Sequence, residues 1–143
     1  MTFDIDANTD RLDCTYTNRK RISSISTAQS FLPNDTATLT GTGGTPTGDV
    51  TFELFGPDLT PNDPTDNCAG TAKYTETVTL DANGSASTTN GTDTVGPTYT
   101  INKGNEGAYS WKVSYSGDSN HPNVSSCVEE STVQIRNGGT VSS

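Results

Sequence analysis

Apolar residues are scarce in this chain: 29% of its 143 residues are hydrophobic, and its mean hydropathy is -0.60. No apolar run approaches the roughly 20 residues of a helical membrane span, so membrane insertion by a helix is not expected. Basic residues are equally short, 8 Lys and Arg against 17 Asp and Glu, for a formal charge of -9. With so few cations the chain cannot neutralise phosphates, which argues against nucleic acid and anionic membranes as partners. The one basic cluster, Arg19-Lys20-Arg21, reads as a solvated linker. The single His, His121, stands beside Pro122, with no Ser or Cys placed near it by a catalytic motif. No enzymatic activity and no cofactor are therefore expected. No 3.6-residue periodicity appears, so no helix is predicted. Nor does a leader open the chain, and a secreted protein with this sequence would be an excised or mature piece.

What the chain does have is hydroxyl side chains and short alternating runs. Thr and Ser together supply 41 residues. Thr is β-branched and suits the solvent face of a strand, so the apolar deficit reads as exposed sheet rather than disorder. The stretch 107–118 is the centre of the pattern. Tyr109, Trp111, Val113 and Tyr115 alternate with Ser110, Lys112, Ser114 and Ser116, as in a half-buried strand. Tyr109, Trp111 and Tyr115, with Phe52 from the run Val50-x-Phe52-x-Leu54, are the expected core.

Further strands are expected at Ile22–Gln29, Thr36–Gly41, Asp49–Phe55, Lys73–Leu80, Ser85–Thr89, Pro97–Ile101 and in a last run holding Val133 and Ile135. Asn83-Gly84 predicts a tight hairpin between two of them. About seven strands at ~10-residue spacing indicate an all-β, immunoglobulin-like antiparallel sandwich. Its expected extent is residues 22–136, between an N-terminal arm at 1–21 and a flexible tail at 137–143. The arm carries Phe3-x-Ile5 and Leu12-x-Cys14-x-Tyr16, an amphipathic pair of runs that cannot stand alone in water.

Two segments carry family resemblances. Thr47-Gly48-Asp49-Val50-Thr51-Phe52-Glu53-Leu54-Phe55-Gly56-Pro57 and Gly107-Ala108-Tyr109-Ser110-Trp111-Lys112-Val113-Ser114-Tyr115-Ser116-Gly117-Asp118 resemble the two signature strands of bacterial Ig-like repeats from large surface proteins. Glu106 stands where that family often has Ala, with no structural consequence expected. Gly107-x-Tyr109-x-Trp111 also resembles a tyrosine corner entering strand F of an immunoglobulin-type domain. The segment Asp13-Cys14-Thr15-Tyr16-Thr17-Asn18 resembles the last strand of a prealbumin-like, pilin-type repeat. In many such repeats an Asn near this place forms an isopeptide bond with a Lys, but no Lys precedes Asn18 here.

The first resemblance implies a disulfide between Cys68 and Cys127, which sit where those repeats carry a pair. A simple sandwich would put the two positions at opposite ends. The pairing therefore requires the loop 56–69 to fold back, or Cys127 to lie partway along its strand. Cys14 is left over, for a partner upstream, in another copy, or by folding back onto either of the others. Asp58, Asp63, Asp66, Asp118 and Glu129-Glu130 could suggest calcium, but their spacing matches no calcium loop. No metal site is assigned, and Asp118 reads as turn chemistry. Gln134 should face outward, and four Asn-x-Ser/Thr sequons begin at Asn34, Asn83, Asn90 and Asn123.

The resemblance implies a non-enzymatic extracellular module, a stalk, spacer or display repeat of a cell-surface or secreted adhesin-like protein. Its partners would be neighbouring domains or subunits of that protein. The alternative is a self-assembling fibre subunit whose arm adds a strand to a neighbour. A third reading, a carbohydrate or protein binder using loops 56–69 and 117–130, has no aromatic platform in either loop.

Overall fold

Ten strands, in chain order, make up the described secondary structure, with no helix among the described residues. They are β1 (Ser24–Ile25), β2 (Ser30–Phe31), β3 (Thr36–Thr38), β4 (Asp49–Asp58), β5 (Tyr74–Thr79), β6 (Ser85–Ser87), β7 (Ile101–Asn102), β8 (Gly107–Tyr115), β9 (Val124–Val133) and β10 (Val141–Ser142). The structure, a computed structural model, describes residues 17, 19, 21–58, 68–92, 97–136 and 141–142. The arm runs at Phe3–Ile5 and Leu12–Tyr16, Cys14, Asn18, Asp63 and Asp66 lie outside them. The chain divides into two units, residues 1–26 with 139–143, and residues 27–138. In the first, β1 pairs antiparallel with β10, Ser24 opposite Ser142 and Ile25 opposite Val141.

The second unit is an antiparallel β-sandwich of immunoglobulin-like type. One layer is a four-stranded sheet in the order β5-β4-β8-β9, and the ladders β3–β6 and β2–β7 face it. Alternation explains the layering. Val50, Phe52 and Leu54 of β4 point inward and are fully buried, opposite Tyr115, Val113 and Trp111 of β8 in register. Trp111 is the hub, with Phe52 and Tyr74 both edge-on to it at ring-centroid distances of 6.3 and 6.2 Å. Ala86 of β6 and Ile101 of β7 close the core from the other side, and Leu80, directly after β5, joins the same cluster.

The outer faces carry the Thr and Ser. Thr51 and Thr77 pair their hydroxyls at 3.0 Å, Thr36 pairs with Ser87 at 2.9 Å, and Thr38 with Ser85 at 3.1 Å. Directly opposed hydroxyls hold a solvated sheet face together without apolar area, which is how the chain folds with so little of it. Tyr109 forms the corner that its sequence context suggests. Its hydroxyl donates to the carbonyl of Asn105 and meets the Tyr99 hydroxyl at 3.1 Å.

Three expectations change. A strand over Ile22–Gln29 is replaced by the short β1 and β2, which fall in different units. Ile22 and Ile25 are three apart, so one strand would point them to opposite faces, and both are exposed. The Asn83-Gly84 turn does not join a hairpin within one sheet, because β5 and β6 lie in opposite layers. Asp81 shapes that turn, its carboxylate accepting from the backbone N–H of Asn83 and of Ser85, both at 2.8 Å. The third change is at 97–101, where the strand starts only at Ile101. Upstream, the Asn90 side chain bonds both the N–H and the carbonyl of Tyr99, at 2.9 and 2.8 Å, in place of a neighbouring strand.

Candidate functional site

Cys68 and Cys127 form a disulfide, with their Cα atoms 6.3 Å apart. The end-to-end difficulty is solved on both strands at once. Cys127 lies inside β9, at a bulge where Cys127 and Val128 together oppose the single Lys112 of β8. Cys68 begins a segment that runs to Lys73, whose N–H bonds the Leu54 carbonyl of β4 at 2.7 Å. This segment thus connects β9 to β4 across the outer face of the sheet. Phe55 and Ser110, paired on that face, are buried, whereas Glu53 and Lys112, the pair next along the same face, are half-buried. They line a cavity of about 300 Å³ with Gly56, Pro57, Cys68 and Ala69. Gly56 is required there. A Cβ on it would meet the Ala108 carbonyl at 2.6 Å, and its φ of 125° is one that L side chains rarely adopt.

A buried carboxylate, Glu76, escaped sequence reasoning. It takes an inward position on β5, only 3% exposed, between Tyr74 and Val78. The Tyr74 hydroxyl donates to it at 2.5 Å, and the Thr89 N–H and hydroxyl each at 2.7 Å. Burial alone would raise its pKa. The bonds from Tyr74 and Thr89 outweigh that and hold the carboxyl below its ordinary range. Burial and the same carboxylate push the Tyr74 phenol well above its usual value. The period-2 pattern places residue 76 inward, but an acidic residue there reads as a break in the pattern rather than as a core position.

The Asp118–His121 pair is the only arrangement resembling catalytic machinery among the described residues. The His121 Nδ1 lies 2.9 Å from Asp118 Oδ1, and the imidazole is 9% exposed. A hydrolytic triad would need a nucleophile at the other nitrogen. Nε2 has no hydrogen-bond partner, and the ring edge abuts Gly41, where a Cβ would fall 2.3 Å from Cδ2. The geometry serves the turn instead. Asp118 accepts from the N–H of Asn120 and His121, at 2.8 and 2.7 Å, and reaches across to the Thr47 N–H at 2.9 Å. The Thr47 bond, then the His121 ring, hold the Asp118 carboxyl below the usual carboxylate range. Tyr115 anchors the same corner by donating to the Thr47 carbonyl at 2.7 Å.

Glu106, expected to matter little, accepts from the Ile135 N–H at 3.0 Å and pairs with Lys103 at 2.6 Å, pinning the chain after β9. Among the described residues no group of three or more His, Cys, Asp and Glu could hold a metal ion. Of the four sequon asparagines, Asn90 is 3% exposed with its amide donating to the Pro33 and Tyr99 carbonyls. It is therefore not available to a glycosyltransferase in the folded chain, whereas Asn34, Asn83 and Asn123 are exposed. The loop expected at 117–130 ends at Asn123, where β9 begins.

The last feature is a seam. On the side where β9 faces β3, the described residues of the two layers leave space between them. A cavity of about 280 Å³ is lined by Ala37, Leu39, Trp111, Val113, Tyr115 and Val124 among others. A second, of about 370 Å³, continues past Trp111 toward Phe31, Ile101 and Val133. Register places Val124, Ser126, Glu129 and Ser131 on the inward face of β9, opposite Tyr115, Val113, Trp111 and Tyr109, yet all four are exposed.

Comparison with known protein families, with curated proteins and with solved structures finds no match.

Proposed function

We propose that this chain is a structural, non-enzymatic extracellular module, a stalk, spacer or display repeat of a cell-surface or secreted protein, akin to the bacterial Ig-like repeats that its two signature strands resemble. The observation that carries the reading is the Cys68–Cys127 strap across a sandwich whose outer faces are Thr and Ser. A domain with 29% hydrophobic residues buries little apolar surface, and a covalent tie compensates where the environment is oxidising. Closing a loop of sequence separation 59 contributes roughly 4 kcal/mol on the chain-entropy account. The acidic surface supports solubility and disfavours polyanionic partners.

Proteolysis with and without reductant tests the reading. The oxidised chain should resist a broad-specificity protease, and reduction, or Cys127→Ser, should shorten its lifetime at least tenfold. Equal lifetimes would remove the strap as a stability device and the stalk reading with it. Hydrolytic turnover against a general ester and glycoside panel, lost in His121→Ala, would also defeat it.

A further inference from the structure

We propose that β5 is a dimerisation edge, pairing antiparallel with β5 of a second copy of this chain about a twofold axis at Thr77. This goes beyond the stalk reading and does not depend on it. The facing layer seals the inward side chains of β5, but its backbone edge is a separate surface. β5 ends the four-stranded sheet, and its ladder partner among the described residues is β4 alone. The register with β4 runs unbroken from Thr79 to Tyr74, with no bulge to twist the edge away. The Leu80 N–H bonds the Gly48 carbonyl at 2.9 Å, so by alternation Val78 and Glu76 also turn their amides to β4. The N–H and carbonyl groups of Thr75, Thr77 and Thr79 then point the other way, at the edge. Such a row templates strand addition unless a Pro, a bulge or a charge blunts it. Between Tyr74 and Thr79 nothing does. The outward side chains are three exposed Thr, and the one charge, Glu76, is buried and bonded to Tyr74 and Thr89.

Symmetry selects the occupant. Bonds across the edge must join the odd-numbered residues of β5, and pairing the strand with itself about Thr77 does so over its whole length. Thr77 meets Thr77, and Thr75 of each copy meets Thr79 of the other. Opposed hydroxyls are the device this chain already uses within its own sheets, at Thr51–Thr77, Thr36–Ser87 and Thr38–Ser85. Between them Glu76 meets Val78, so no like charges stand opposite one another. The flanks are complementary as well. Lys73 and Asp81, both exposed, lie equally far from Thr77 in opposite directions along the chain. The ammonium of each copy is therefore brought to the carboxylate of the other, once at each end. Lys73 makes no ion pair within its own chain among the described residues. A single pair of edge strands covers less than the roughly 800 Å² per partner of a standard interface, so the contact is a weak one.

Sedimentation of the full chain from about 10 μM to about 1 mM tests this, a range suited to a small interface. Each copy carries a formal charge of -9, so the salt is set near 0.15 M, where a screening length of about 8 Å confines repulsion to close pairs. A monomer–dimer equilibrium is expected. Thr77→Lys places two ammonium groups opposite each other on the axis and should weaken it about fivefold or more. Lys73→Glu should weaken it by a similar factor through both flanking pairs. Thr77 and Lys73 are exposed, so both variants should keep the cooperative denaturation transition. A measurement on the unaltered chain fixes the register: the amides of Thr75, Thr77 and Thr79 should gain exchange protection as concentration rises, while those of Glu76 and Val78 do not change. In a Cys14→Ser background, Thr77→Cys should oxidise to a reducible dimer and Thr75→Cys should not, because only position 77 faces itself at the roughly 5.5 Å between Cα atoms that a disulfide spans. A monomer throughout, a dimer indifferent to Thr77→Lys, or protection gained outside the odd-numbered residues of β5 would each overturn the proposal.

Discussion

The two edge strands of the four-stranded sheet, β5 and β9, place an acidic residue on the same inward face and treat it in opposite ways. On β5, Glu76 is sealed between Tyr74 and Thr89 with three hydrogen bonds, and the facing layer closes over it. On β9, Glu129 stands opposite Trp111 and is exposed, and among the described residues no further strand pairs beyond β9. The difference teaches what makes an edge closed. The carboxylate on β5 is tolerable only because every bond that water supplied has been replaced, whereas β9 keeps its water. The outer face of β9 compensates through the Cys127 strap, so the open edge is the one held covalently.

Trp111 belongs to both sides, packing against Tyr74 toward β5 and flooring the seam toward β9. Trp111→Ala should therefore cost the most, about 3–5 kcal/mol, read from denaturant midpoints. It should erase the contrast by loosening both edges. Glu76→Ala breaks the closed edge alone. Leaving the Tyr74 hydroxyl and the Thr89 N–H without their acceptor should cost about 1–3 kcal/mol. Hydrogen exchange should then rise in β5 while β9 is unchanged.

Acid sharpens the comparison. The folded carboxyls of Glu76 and Asp118 lie below their ordinary values of 4.5 and 3.8. Their contribution is thus fully present above those values and is lost as the pH falls toward the folded ones. Tm should fall between pH 5 and acid conditions, and Asp118→Asn should flatten part of that slope. The smallest effect belongs to the open edge. Glu129→Ala should change stability by no more than about 0.5 kcal/mol, since water already solvates it. A loss comparable to that of Glu76→Ala would mean the seam is closed in solution.

The period-2 runs, the Asn/Gly/Pro turns and the concentration of aromatics at 109–115 determined that the chain is an all-β sandwich centred on Trp111, because strand alternation is local and needs no partner to be read. The buried Phe52, Tyr109, Trp111 and Tyr115 follow from it. Which edge of the sheet closes was decided only by the tertiary structure. Glu76 looks like any surface acid until Thr89, thirteen residues on, is seen to meet it. The Asn83-Gly84 turn looks like a hairpin until its two strands are found in opposite layers. The bulge that brings Cys127 to Cys68 depends on register with β8. These are contacts between distant segments, set by which pairings bury the most apolar surface and leave no polar group unpaired, and no local pattern encodes them.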